Sequence, residues 1–199
     1  MGYAGPEPFP IASGGTNASS MSTSSGIVKY NGTSLITSST ATIDSNNFST
    51  NSAQPAFLAY RTTGTGGVTG DGTNVTVVFD TVVFDQNSNY NTSTGIFTAP
   101  KTGNYLFTSY IYATGWDGST NTVNLNLIVN GTTMQLVYGL PKPDGNYGTL
   151  TVGGSGFVPL SATQQVTVQY MAGGDGTKTI GISGRAGFYE TFFSGYLVC

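Results

Sequence analysis

Gly95-Ile96-Phe97-Thr98-Ala99-Pro100-Lys101-Thr102-Gly103-Asn104-Tyr105-Leu106-Phe107 is the stretch on which the fold turns. Pro100 ends one strand, because it fixes φ and cannot donate to a ladder. Gly103 supplies a turn before the next strand begins. Alternation then sends Phe97, Tyr105 and Phe107 inward. Beyond Phe107, Ile111 stays on the face of Tyr105, while Leu106, Tyr110 and Tyr112 share the opposite one. Val75, Val77 and Phe79 share one face of an earlier strand. Val123, Leu125, Leu127 and Val129 alternate with Asn124, Asn126 and Asn130, broken only by Ile128. Val166, Val168 and Tyr170 repeat the pattern, Ile180 and Ile182 follow, and 192–198 closes the series. No helical stripe interrupts them. Short strands at roughly 8–12-residue spacing, split by turn residues, predict an all-β sandwich or barrel.

The strands at 104–112 and 192–198 are apolar on both faces. One face of a sandwich strand meets the core and the other ordinarily meets water. Two apolar faces therefore call for a second cover, and another copy of the same chain supplies it. Tyr105, Phe107, Tyr110, Tyr112, Phe192, Phe193 and Tyr196 are the residues expected in the core or the subunit interface.

Composition narrows the chemistry. The 199 residues include no His and one Cys, at the last position. That excludes His-based triads and His metal ligands, and it leaves no internal disulfide or thiolate zinc site. Six Lys and Arg against nine Asp and Glu give a net charge of −3. No basic patch for nucleic acid follows from that. No run reaches the roughly 18 apolar residues of a membrane span. The charged fraction is 8%, so the surface is polar but uncharged. The first residues, Met1-Gly2-Tyr3-Ala4-Gly5, are unlike a secretion signal. An outward-facing composition without an export signal suggests a virus particle, assembled in the cytoplasm and released by lysis.

The texture changes near residue 53. Residues 1–52 are rich in Ser, Thr, Asn and Gly and cannot bury enough apolar surface alone to offset the entropy of ordering. Pro6, Pro8, Phe9, Pro10 and Ile11 form an extended segment suited to attachment on a particle. Residues 27–37 read as a hairpin about Asn31-Gly32, the favoured two-residue type I′ turn. A lone hairpin needs a partner.

The stretch quoted first, with Phe79-Asp80-Thr81-Val82, Asn87 and Tyr90-Asn91 before it, resembles the globular head of complement component one, subcomponent q. Pro55-Ala56-Phe57 opens this similarity and Phe193-Ser194-Gly195-Tyr196-Leu197 closes it, so it spans residues 53–199. The resemblance implies a ten-stranded jelly roll of the tumour necrosis factor type, assembled as a compact homotrimer. It also implies binding through loops and trimer surfaces, without enzymatic activity. The sequence departs from that family at Ala99, where a Cys often stands, and in having no collagen-like repeat before the head. Gly14-Gly15-Thr16-Asn17-Ala18-Ser19 and the hairpin are similar to segments of bacteriophage tail fibres.

Candidate chemistry is sparse. Trp116 lies in the loop after the long strand, where it can stack on a sugar while Asp117 accepts a hydroxyl proton. Tyr147 is a further ligand-binding candidate, and packing of Trp116 against its own loop is the simpler alternative. Asp-Gly pairs begin at Asp71, Asp117, Asp144 and Asp175, and they are first of all turn signals. Clustered Asp side chains make calcium a candidate ligand. Asp85-Gln86-Asn87-Ser88-Asn89, however, fails as a calcium loop, since Tyr90 and Ile96 stand where Gly and Glu belong. Asp80 and Asp85 lack the marks of a glycosidase pair. Glu190 suggests an ion pair with Arg185 or Arg61. Six Asn-X-Ser/Thr patterns, at Asn17, Asn31, Asn47, Asn74, Asn91 and Asn130, follow from composition and are expected to stay bare. The glycine-rich segments 64–67 and 153–156 read as loops, and neither has the Lys and helix of a phosphate cradle.

These observations predict a cofactor-free, non-enzymatic homotrimeric virion protein. Residues 1–52 would contact other virion proteins as a tail or capsid fibre. Residues 53–199 would bind the host surface, with glycan as the first choice and protein as the second. An architectural plug or decoration and a secreted lectin-like module are the alternatives. A polysaccharide-cleaving enzyme is a distant fourth.

Overall fold

The computed structural model describes residues 26–30, 35–43, 49–139 and 148–198, with the backbone alone before residue 51. The chain forms two compact units that divide between Ala53 and Gln54. In the first, β1 (Gly26–Tyr30), β2 (Leu35–Ile43) and β3 (Ser49–Asn51) form an antiparallel sheet in that order. Tyr30 pairs with Leu35, so residues 31–34 join the strands rather than the expected Asn31-Gly32 alone. A register moved by two residues leaves each side chain on its original face. The apolar pattern therefore could not separate the two turns. β2 also runs six residues beyond the expected hairpin and pairs with β3.

The second unit holds thirteen strand segments among the described residues. These are β4 (Ala56–Tyr60), β5 (Thr63–Thr69), β6 (Val75–Val77), β7 (Thr81–Asp85), β8 (Tyr90–Asn91), β9 (Ile96–Thr98), β10 (Gly103–Trp116), β11 (Thr122–Val129), β12 (Thr132–Tyr138), β13 (Gly148–Leu160), β14 (Gln165–Gly173), β15 (Ile180–Arg185) and β16 (Phe192–Val198). The number exceeds the expected ten because short pieces share partners, β6 and β9 both pairing with β14. One sheet runs β5-β15-β10-β16-β4-β7, with β13 on the other edge of β10. The facing sheet runs β12-β11-β14-β9-β8, with β6 also on β14. All pairs are antiparallel, and the two sheets make the jelly-roll sandwich.

Aromatic rings fill the space between the sheets. Phe57, Phe79, Phe97, Tyr105, Phe107 and Phe193 are fully buried, as the alternation around Pro100 requires. Phe107 packs at 5.3 Å from Phe97 and 5.6 Å from Phe193, centroid to centroid. Phe57 stacks on Phe97 at 5.0 Å and on Tyr90 at 5.2 Å. Each such ring contributes about 1.5–3 kcal/mol by leaving water, and each good ring pair adds about 0.5–1.5 kcal/mol. Gly195 makes room for them: a Cβ there would lie 2.5 Å from Phe107 Cδ1 and 2.9 Å from Phe57 Cε1.

Both glycine-rich segments expected to be loops are strands. Residues 64–67 lie in β5 and 153–156 in β13. β13 pairs with β10 along its whole length, and Gly153 sits opposite Tyr110. The Tyr110 ring lies flat on Gly153, where a Cβ would come within 2.3 Å of it. On the other face, Gly156 and Gly154 leave space for Met134 and Leu136 of β12. Large neighbours thus replace the missing side chains, which is how glycine is tolerated inside a strand.

Candidate functional site

The seven expected core or interface aromatics separate into two sets. Tyr105, Phe107 and Phe193 point into the core. Tyr110, Tyr112, Phe192 and Tyr196 occupy the outer face of the seven-stranded sheet. Register builds that face row by row. Tyr60, Phe192, Tyr110 and Gly153 form one row across β4, β16, β10 and β13. Ala56, Tyr196, Leu106 and Phe157 form another. Leu58, Ser194, Thr108 and Ser155 run between them, and Phe84 of β7 lies beside Leu58. Phe192 stacks on Tyr110 at 5.3 Å. Phe157 is 62% exposed and Tyr196 46%, although both sit amid apolar neighbours.

At the end of the sandwich where β10 stops, the residues singled out for sugar binding are placed differently from expectation. Trp116 is the last residue of β10, not a loop residue, and is only 2% exposed. Its indole N–H and the Tyr170 hydroxyl lie beside each other, cut off from water, without closing a well-formed hydrogen bond. A sugar ring cannot stack on an indole so enclosed. Asp117 accepts from the Ser119 amide at 2.8 Å and from the Ser119 hydroxyl. Asp175 accepts from Ser119 Oγ at 2.9 Å, Thr120 Oγ1 at 2.8 Å and Thr179 Oγ1. Asp71 accepts from the Thr73 amide at 3.0 Å. These Asp-Gly carboxylates are engaged in shaping their own loops. Among the described residues no three potential ligands converge on a metal position. Tyr147, Asp144, the attachment residues Pro6, Pro8, Phe9, Pro10 and Ile11, and Cys199 lie outside the described residues.

Glu190 pairs with Arg185 at 3.5 Å and accepts from Ser183 Oγ at 2.7 Å. Arg61 is held elsewhere, donating to Val78 O at 2.9 Å and Thr63 O at 3.1 Å. The Arg185 guanidinium also covers the Phe188 ring at 3.4 Å.

Partial burial pushes the Asp80 carboxyl up. The Thr62 amide and hydroxyl, the Thr81 hydroxyl and the Arg61 charge outweigh that and hold it below the ordinary value. Asp71 and Asp117 are also held low, by Thr73 and Ser119 respectively. A carboxyl depressed in the folded state stabilises fully above its unfolded pKa, and the benefit drains away as pH falls through the folded value. The chain has no His to titrate near neutrality. The urea midpoint should therefore be flat between about pH 5 and pH 8 and fall below about pH 4. Asp80→Asn should remove part of that acid-side slope. A decline of similar size between pH 5 and 8 would contradict this assignment.

At the opposite end of the sandwich, an open groove of about 650 Å³ runs beside the edge strand β8. Asn89, Asn91, Thr92, Thr98 and Thr163 line it, together with Pro100. No charged side chain reaches it. No periodic signal marks this groove, since its residues come from four connecting segments and two short strands.

Comparison with known proteins agrees with this architecture. The C1q domain matches residues 56–198. The globular domain of zebrafish complement 1qA protein superposes with a TM-score of 0.51 at 20% identity, over 73% of this chain and 98% of that one. Murine APRIL at pH 8.0 gives a TM-score of 0.50 at 14% identity, over 73% and 99%. No curated protein matches the chain in sequence. The family match runs from the opening strand β4 to the closing strand β16, so the chain belongs to the C1q domain family.

Proposed function

We propose that this chain is a non-enzymatic, homotrimeric attachment protein of a virus particle, a bacteriophage tail or capsid fibre. Three heads pack through the outer face of the seven-stranded sheet. Residues 1–52 contact neighbouring virion proteins, and the heads bind host-surface glycan. The observation that carries the reading is the pair of apolar rows on that outer face, Tyr60-Phe192-Tyr110 and Tyr196-Leu106-Phe157. A patch of this kind marks an interaction surface, and in a threefold ring each head presents it to a different surface of its neighbour, a heterologous contact that closes on the third copy. Homologues of the C1q and tumour necrosis factor type form homotrimers. Three equivalent weak sites on one rigid body raise effective affinity without any new contact. The low charge of the head suits hydroxyl-rich partners better than ionic ones.

The full chain should sediment at three times its 20.6 kDa mass. A stable monomer at micromolar concentration would overturn the trimer and, with it, the avidity argument. A glycan array probed with the trimer tests the binding half. A blank array, with particles that fall apart when the protein is deleted, would favour an architectural plug.

A further inference from the structure

We infer that the groove beside β8 is a binding site for a short neutral saccharide, an inference that rests on the glycan-binding half of the proposed function. Its size lies within the range of small-molecule sites, about 300–1,000 Å³. Its chemistry is amide and hydroxyl. Asn91 Oδ1 is occupied by the Ser93 and Thr94 amides, and Asn89 Nδ2 donates to Gln86 O at 2.7 Å. Asn91 Nδ2, Asn89 Oδ1 and the hydroxyls of Thr92, Thr98 and Thr163 have no partner among the described residues. The lining therefore offers both donors and acceptors, and Pro100 with Ile96 offers apolar surface for the C–H face of a sugar. The absence of any charged group in the lining disfavours phosphates and charged peptides.

The groove is held rigid, and at a cost. Thr163 has φ +74° at the third position of the turn Ser161–Gln164, which Gln164 N closes by donating to Ser161 O at 3.2 Å. Gly or Asn normally occupies that position, and a β-branched residue there is strained. Ser88, also in the lining, has φ +54°. The strained turn is clamped to the rim of the groove: Thr163 N donates to Ala99 O at 2.7 Å and Ala99 N to Gln164 O at 2.9 Å. Strain retained at a lining residue points to a role for its side chain beyond stability. The groove lies at the edge of the six-stranded sheet, whereas the apolar rows lie on the outer face of the seven-stranded sheet.

The test is a titration of the isotopically labelled full chain with neutral oligosaccharides of glucose, galactose and N-acetylglucosamine, followed by amide NMR. Saturable shifts confined to Asn89, Asn91, Thr92, Thr98 and Thr163 are expected. Thr98→Val and Thr163→Gly should each weaken binding about three- to tenfold, the loss of one hydrogen bond. Thr163→Gly should do so with a thermal midpoint equal to or above that of the parent, because glycine relieves the strain. Saturable binding whose shifts lie elsewhere would overturn the groove while leaving the glycan reading intact. No binding of any of these sugars at millimolar concentration would overturn both.

Discussion

Gly195→Ala should lower the thermal midpoint of the head by about 3–10 °C, corresponding to a net loss of about 1–3 kcal/mol. Alanine in a strand ordinarily gains about 0.5–1 kcal/mol over glycine. Here the new methyl would sit 2.5 and 2.6 Å from two carbons of the Phe107 ring and 2.9 Å from Phe57. Neither ring can swing aside, since Phe97, Tyr105 and Phe193 enclose Phe107, and Phe57 is stacked between Tyr90 and Phe97. The clash therefore outweighs the gain in propensity. Gly195→Val adds two more carbons to a site with no vacancy and should leave little folded head. Ser194→Ala, one residue away on the outer face, is the control, with an expected shift under about 0.5 kcal/mol. Melting followed by circular dichroism decides the matter. An unaltered midpoint for Gly195→Ala would mean the aromatic cluster is far looser than these distances require.

Leu106→Glu should convert trimers to monomers without unfolding them. Leu106 lies on the outer face of β10 between Tyr196 and Phe157. A carboxylate there meets water in the isolated head. In the trimer proposed above it would be stripped of water three times over, at several kcal/mol per copy with no cation to pair with. The nearest stretches of β10, β13 and β16 carry no Lys or Arg. Sedimentation should show the monomer mass, and circular dichroism should show an unchanged strand signal. Persistence of the trimer would place the subunit contact on some other face.

What could be read in advance was the part of the fold written in alternation. Phe97, Tyr105, Phe107, Val166, Val168 and Tyr170 point inward as their spacing requires. The two compact units divide between Ala53 and Gln54, where the Ser-, Thr- and Asn-rich stretch gives way to short apolar runs. β13 was not legible, because three of its central four residues are glycine and carry no side chain to alternate. Its identity as a strand is encoded in its neighbours, Tyr110 on one side and Met134 and Leu136 on the other. The break in β11 was also displaced. It falls at Leu125/Asn126, where the register to β12 shifts and Asn126 is buried, rather than at Ile128. Trp116 misled because one extra turn-free residue at the end of β10 separates an exposed loop from a closed core. The groove was invisible because it needs Asn91, Thr98 and Thr163 brought together from separate segments.

The placement of β16 has a consequence for biosynthesis. Residues 192–198 lie in the middle of their sheet, between β10 and β4, and β4 opens the head some 136 positions earlier by their pairing of Ala59 with Phe193 and Leu58 with Ser194. A nascent chain still lacking that strand exposes the backbone edges of β4 and β10 together with Phe57 and Phe107. The sheet cannot close until those seven residues have been made and have left the ribosome, so the head closes as a unit rather than strand by strand. Prematurely terminated products are thereby kept out of finished oligomers, a quality check written into strand order.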